Sequence, residues 1–253
     1  MNLLLSRQNK KLTGPTLPRR NHRRFRVTLW QDSTDTVLLT PTPSFTPLRS
    51  RSIEQCVSSL AGSGASHCVT PAIHVSEAQP FLDAGFTLRE RLHLLSIEIT
   101  PTVEFGVGLN QSDLLIRHGR RRHEHRVLDL DNRAFDGFWS FNRSALKESL
   151  RATPTSRYRV AVVDKTVAGY AITGQASNRG YLQRLAVDPN LQGRQIGSAL
   201  VYDALRWLQR RGATRAFVNT QETNTRAFGL YQRLGFVAEK NGLVVLSRDT
   251  VQP

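Results

Sequence analysis

Apolar positions along this chain fall into short runs of two periods. Phe25–Trp30 and Thr36–Thr40 are β-rich and flank Asp32-Ser33, which predicts a pair of strands. Pro41–Pro47 reads as loop. Ile53–Leu60 predicts a helix closed by Gly62-Ser63-Gly64. A strand at His67–Thr70, a short helix around Glu77–Asp83 closed by Gly85-Phe86, and a strand at Arg91–Ile99 follow. A Pro/Gly-containing break over 101–112 is the expected domain boundary.

Beyond the break, Leu114–Arg117 is a short strand. Arg120–Phe135 is a helix with Val127, Leu128, Asp131 and Ala134 on one face. An aromatic group, Phe135, Phe138, Trp139 and Phe141, precedes a second helix at Arg143–Ala152, which Pro154 ends. Tyr158–Val163 and Ala168–Thr173 form a hairpin across Asp164-Lys165-Thr166, and Tyr181–Val187 is a third strand. The clearest helix comes next. Ile196, Leu200, Val201, Ala204, Leu205 and Leu208 share one face, Arg210-Arg211 suit its C-terminal dipole, and Gly212 stands at the C′ position.

At 253 residues the chain is long enough for one large domain or two small ones. No apolar run is long enough to span a bilayer, and Leu3–Leu5 are too short for a signal-peptide core, so a cytoplasmic location is expected. Two cysteines, Cys56 and Cys68, make neither a disulfide framework nor metal-ligand spacing. The formal charge of +15 is concentrated at the start, where the first 52 residues hold ten basic side chains against two acids. Residues 1–24 read as a disordered basic arm. Such an arm is either a solvated tail or a phosphate-binding one for nucleic acid or the ribosome.

The candidate chemistry lies in Leu185-Ala186-Val187-Asp188-Pro189-Asn190-Leu191-Gln192-Gly193-Arg194-Gln195-Ile196-Gly197-Ser198. A strand ends, the chain turns at Asp188-Pro189, and a glycine-bearing loop enters a helix. The first turn of a helix leaves backbone N–H groups unpaired, and glycine lets an anion approach them. A nucleotide P-loop is excluded because no Lys-Ser/Thr follows Gly197. The Gly193…Gly197 spacing also fails the Gly-x-Gly-x-x-Gly pattern.

Gln192-Gly193-Arg194-Gln195-Ile196-Gly197 resembles the Gln/Arg-x-x-Gly-x-Gly/Ala pyrophosphate motif of GNAT N-acetyltransferases. Asn224-Thr225-Arg226-Ala227-Phe228-Gly229-Leu230-Tyr231-Gln232-Arg233-Leu234-Gly235-Phe236 resembles the Asn-x-x-Ala-x-x-Leu-Tyr-x-x-Leu-Gly-Phe signature of that family, and of its ribosomal-protein-alanine N-acetyltransferase-like branch. The resemblance covers roughly residues 112–247. It implies an α/β fold with a mixed central sheet, and an acetyl-CoA-dependent transfer of an acetyl group to a primary amine on a protein N-terminus, a lysine or a small molecule, without a metal. It further implies that Tyr181–Val187 diverges from Ala216–Thr220 to admit the pantetheine arm. Leu185 and Val187 would pair with the arm. Backbone N–H groups of Gln192, Gly193, Arg194, Gln195, Ile196, Gly197 and Ser198 would hold the pyrophosphate. Asn224 would reach the arm and also cap the helix after it.

By the same resemblance Tyr231 is the expected donor to the departing thiolate, with a core tyrosine as the plain alternative. Two departures stand out. Gln195 occupies a position usually taken by glycine, and Asn219 stands where the branch has a glutamate base. Glu222 or a water relay are the remaining candidates for the base, since every histidine lies at or before His125. The Phe135–Phe141 group either walls the acceptor site or is simply core. Catalytically weak coenzyme A binding, or RNA and ribosome docking through the arm, is the competing function.

The first half holds an echo. Phe81-Leu82-Asp83-Ala84-Gly85-Phe86 follows a strand and helix as Tyr231-Gln232-Arg233-Leu234-Gly235-Phe236 does, with Phe81 in place of the tyrosine. The expected organisation is therefore a basic arm (1–24), a reduced non-catalytic GNAT-like half (25–111) and a GNAT domain (112–253).

Overall fold

The computed structural model describes residues 24–102, Phe105 and 113–250. Nearly all of the basic arm and most of the 101–112 break lie outside the described residues. In chain order the elements are β1 (Phe25–Leu29), β2 (Thr36–Pro41), α1 (Ser50–Ala61), β3 (His67–Val69), β4 (Ile73–His74), α2 (Gln79–Asp83), β5 (Thr87–Glu98), β6 (Leu115–His118), α3 (Glu124–Ala134), α4 (Arg143–Arg151), β7 (Thr155–Val163), β8 (Thr166–Ala176), β9 (Arg179–Val187), α5 (Ile196–Arg210), β10 (Arg215–Gln221), α6 (Thr225–Arg233), β11 (Val237–Ala238) and β12 (Leu243–Asp249). The α/β class with a mixed sheet follows directly.

The chain divides into two compact units, Met1–Arg89 with Val245–Pro253, and Glu90–Val244. The division falls at Arg89/Glu90 rather than in the 101–112 break. The reason is pairing: Leu92–Glu98 of β5 run antiparallel to β10 from Gln221 back to Arg215, which binds β5 into the second unit.

In the first unit β1 pairs antiparallel with β2, β2 runs parallel to β3, and β3 is antiparallel to the last strand through Ser247↔Val69, Arg248↔Cys68 and Asp249↔His67. Buried Ile53, Cys56, Val57 and Leu60 give α1 its inner face. Burial pushes both thiols up, to about 12, so Cys56 and Cys68 behave as apolar packing groups.

The second unit carries the strand order β5-β10-β9-β8-β7-β6, with β11 on β5. Along this order the β9–β10 pair is parallel and the other pairs are antiparallel. Strand β8 is buried from Val167 through Gln175 because helices cover both of its faces. Val127, Leu130 and Leu146 of α3 and α4 pack on Val160, Tyr170 and Ile172. On the opposite face Ile196 and Leu200 of α5 pack on Ala161, Val163, Ala168 and Ala171. The α5 stripe expected from the sequence is buried at all six positions.

The echo between the halves is geometric as well. Gly85 and Gly235 have φ of 78° and 90°, and each is followed by a buried Phe. Phe86 N–H donates to Phe81 C=O and Phe236 N–H to Tyr231 C=O, both at 3.0 Å. Both helices thus end in the same glycine-capped turn.

Candidate active site

Parallel pairing between β9 and β10 covers only Arg215↔Arg179, Ala216↔Gly180 and Phe217↔Tyr181. Beyond Tyr181 and Phe217 the two strands no longer pair with each other. Leu182–Val187 and Val218–Gln221 instead line a cavity of about 610 Å3. The divergence expected of Tyr181–Val187 is therefore present, and it leaves backbone edges available for an extended ligand.

Ten of the eleven residues expected at the site line this cavity: Leu185, Val187, Gln192, Gly193, Gln195, Ile196, Gly197, Ser198, Asn224 and Tyr231. Arg194 is exposed and does not line it. The loop into α5 is built by two left-handed residues, Gly193 at φ 82° and Gln195 at φ 56°. The first α-helical bond runs from Ala199 N–H to Gln195 C=O, so the N–H groups of Ile196, Gly197 and Ser198 precede the helix ladder. A cradle of this kind suits a pyrophosphate.

The left-handed φ explains why glycine is the expected residue at position 195. A side chain there costs about 1–2 kcal/mol, of which a glycine returns part to the unfolded chain. Gln195→Gly is accordingly expected to stabilise the protein by a net ~0.5–1 kcal/mol in thermal unfolding. A fall in melting temperature would show that the Gln195 side chain is a net stabilising contact.

Asn224 caps α6, its Oδ1 accepting from Ala227 N–H at 3.0 Å. Its amide nitrogen is thereby left for the cavity that Asn224 lines. The Tyr231 ring is buried against Phe236, centroids 5.6 Å apart, and belongs to the core between α5 and β10. Burial pushes its phenol well above the usual tyrosine range, so the hydroxyl stays protonated at any working pH.

No Asp, Glu, His or Lys lines the cavity among the described residues. Asn219 is exposed on β10 and lines it. Glu222, the carboxylate the sequence had offered as a base, is exposed and does not line it.

The sequence did not single out Arg184. It sits on β9 where the pairing with β8 slips, Ile172 facing Arg184 and Thr173 facing Leu182. Arg184 Nε and Nη2 donate to Asp131 at 2.8 and 2.7 Å, and Nη2 also donates to Trp139 C=O at 2.8 Å. The guanidinium lies 3.5 Å from the Phe135 ring centroid and 3.9 Å from that of Phe141. Asp131 is fully buried and also accepts from Tyr170 Oη and Phe141 N–H, both at 2.5 Å. Of the aromatic group, Phe135 and Trp139 line the cavity, while Phe135 and Phe141 pack on the α3/α4 core. Wall and core are one structure here.

Comparison with known proteins agrees with this geometry. Residues 124–236 match the Acetyltransferase (GNAT) family. A mycothiol acetyltransferase of Stackebrandtia nassauensis is 32% identical over 126 residues, 46% of this chain and 41% of that protein. A [ribosomal protein bS18]-alanine N-acetyltransferase of Salmonella typhimurium is 33% identical over 73 residues, 29% of this chain and 49% of that one. The matched segments span less than half the length of these curated relatives. Among solved structures, a tandem GNAT protein from the clavulanic acid biosynthesis pathway superposes with TM-score 0.72 at 13% identity, covering 90% of this chain and 79% of its own. A GCN5-related N-acetyltransferase from Sphaerobacter thermophilus gives 0.64 at 15%, covering 90% and 76%. The splayed strands, the glycine turn into α5 and the capped α6 therefore have a family: residues 124–236 of this chain form an acetyltransferase domain of the GNAT family.

Proposed function

We propose that this protein transfers an acetyl group from acetyl-CoA to a primary amine. The observation that carries the reading is the end of β9–β10 pairing at Tyr181↔Phe217, which opens two strand edges onto a cavity ending at the start of α5. The pantetheine arm pairs with the β9 edge at Leu185 and Val187. The backbone of Gln192–Ser198, Arg194 included, holds the pyrophosphate, and the Asn224 amide reaches the arm.

The amine nitrogen attacks the thioester carbon, the C–N bond forms and the C–S bond breaks. The proton lost by the nitrogen ends on the coenzyme A sulfur. Tyr231 donates a hydrogen bond to the departing thiolate and passes the proton on. With no ionisable base lining the cavity among the described residues, the amine enters neutral or loses its proton to water.

The acceptor is an amine of a protein N-terminus, a lysine or a small molecule. The relatives named for mycothiol and for the bS18 alanine frame that range. The first unit is a reduced, non-catalytic repeat: Phe81 stands at the Tyr231 position and carries no hydroxyl. The basic arm offers a route to nucleic acid or the ribosome. Two free cysteines and the use of acetyl-CoA fit a cytoplasmic setting.

Saturating acetyl-CoA should raise the melting temperature. Ligand at about 100 times its Kd stabilises the folded state by roughly 2.7 kcal/mol. The absence of any shift would sink the reading.

A further inference from the structure

We infer that Arg184 reads the acceptor, and that the acceptor is an amine carrying a carbonyl or carboxylate oxygen close to its nitrogen, as in an α-aminoacyl group. The inference rests on the acetyltransferase reading above and deepens it. The Arg184 side chain is 10% exposed and lines the cavity. Its Nε and Nη2 are committed to Asp131 and the Trp139 carbonyl. Nη1 donates to no group among the described residues, and it is not an atom sealed from solvent. A nine-tenths buried guanidinium on a cavity-lining residue thus keeps two N–H donors unused.

Its orientation is fixed. Asp131 grips two nitrogens from behind, and the rings of Phe135 and Phe141 hold the plane. A donor held this rigidly loses little freedom when it binds, which favours a directional bond to an oxygen. Asp131 offsets the charge, so a neutral carbonyl suits the site as well as a carboxylate.

The other lining residues exclude the opposite class. No carboxylate lines the cavity among the described residues, while Arg184, Arg226 and Arg233 do. A polyamine would bring several positive charges to a cleft whose lining offers arginines and, among the described residues, no carboxylate to receive them. Phe135 and Trp139 supply apolar surface for the substituent on the α-carbon.

The test compares alaninamide, alanine, isopropylamine and spermidine as acceptors, with kcat/KM expressed per neutral amine. Alaninamide should exceed isopropylamine by about tenfold or more, the usual reward for a hydrogen bond to a charged donor. Spermidine should be the poorest acceptor. Alanine against alaninamide tells carboxylate from carbonyl. Arg184→Lys keeps a cation beside Asp131 but removes the fork, and should narrow the alaninamide-to-isopropylamine ratio toward one. Equal use of alaninamide and isopropylamine by the unaltered protein overturns the inference. So does a variant whose ratio is unchanged. Protein that binds acetyl-CoA yet acetylates none of the four also overturns the acceptor class, whereas failure to bind acetyl-CoA overturns the parent reading.

Discussion

Tyr231→Phe is expected to lower kcat by about 100-fold, at the lower end of what a positioned proton donor contributes. The substitution removes one oxygen from a ring that is already core. Tyr231 packs on Phe236 and lies in the cluster that joins α5 to β10, and phenylalanine keeps that packing. Acetyl-CoA affinity and melting temperature should therefore change little, which separates loss of chemistry from loss of fold. Because burial holds the phenol above its ordinary range, its deprotonation contributes no falling limb to the pH–rate profile of the parent protein below pH 10. The rising limb belongs to the acceptor and should move with the amine's own pKa. Steady-state kinetics with two amines of different basicity checks both points. A Tyr231→Phe variant with full kcat would leave Tyr231 as a packing residue only.

The sequence carried the parts of this site that depend on local order. The α5 stripe, the left-handed turn before it and the capped α6 each sit within about fifteen consecutive residues, and each is written as a spacing that backbone geometry enforces. Where contact spans the chain, spacing is silent. Asp131 fell on the buried face of α3 in the sequence reading, but its partner Arg184 lies 53 residues away on another strand. Nothing in the local pattern of β9 tells a buried arginine from a surface one. The strand at Leu243–Asp249 was missed for a related reason: its apolar start, Leu243–Leu246, is buried without alternation, and its partner Val69 is far back in the chain. Glu222 shows that nearness in sequence is not nearness to the cavity. It was three residues from the expected base position, yet it is exposed and off the cavity lining, whereas Asn219, dismissed as a base, lines it.

Asp131→Ala is expected to be the most destabilising single change in the second unit, costing about 3–5 kcal/mol. One fully buried carboxylate accepts from Arg184 Nε and Nη2, the Tyr170 hydroxyl and the Phe141 amide. Truncation leaves a nine-tenths buried guanidinium without its counter-charge and removes the acceptor of all four of these hydrogen bonds. Tyr170 is itself fully enclosed in the α3/α4 core, so water reaches its hydroxyl only by opening that core. Asp131→Asn should cost less, since the amide oxygen still accepts, but it too leaves the arginine charge unbalanced. Denaturant unfolding of both variants measures the order. The same network fastens the Phe135–Phe141 wall to β9 through Arg184. Asp131→Asn, where it folds, should therefore raise the KM for the amine more than the KM for acetyl-CoA, because the pyrophosphate turn lies on α5 and makes no bond to Asp131 among the described residues. Equal rises in both would show that the network supports the sheet as a whole rather than the acceptor wall.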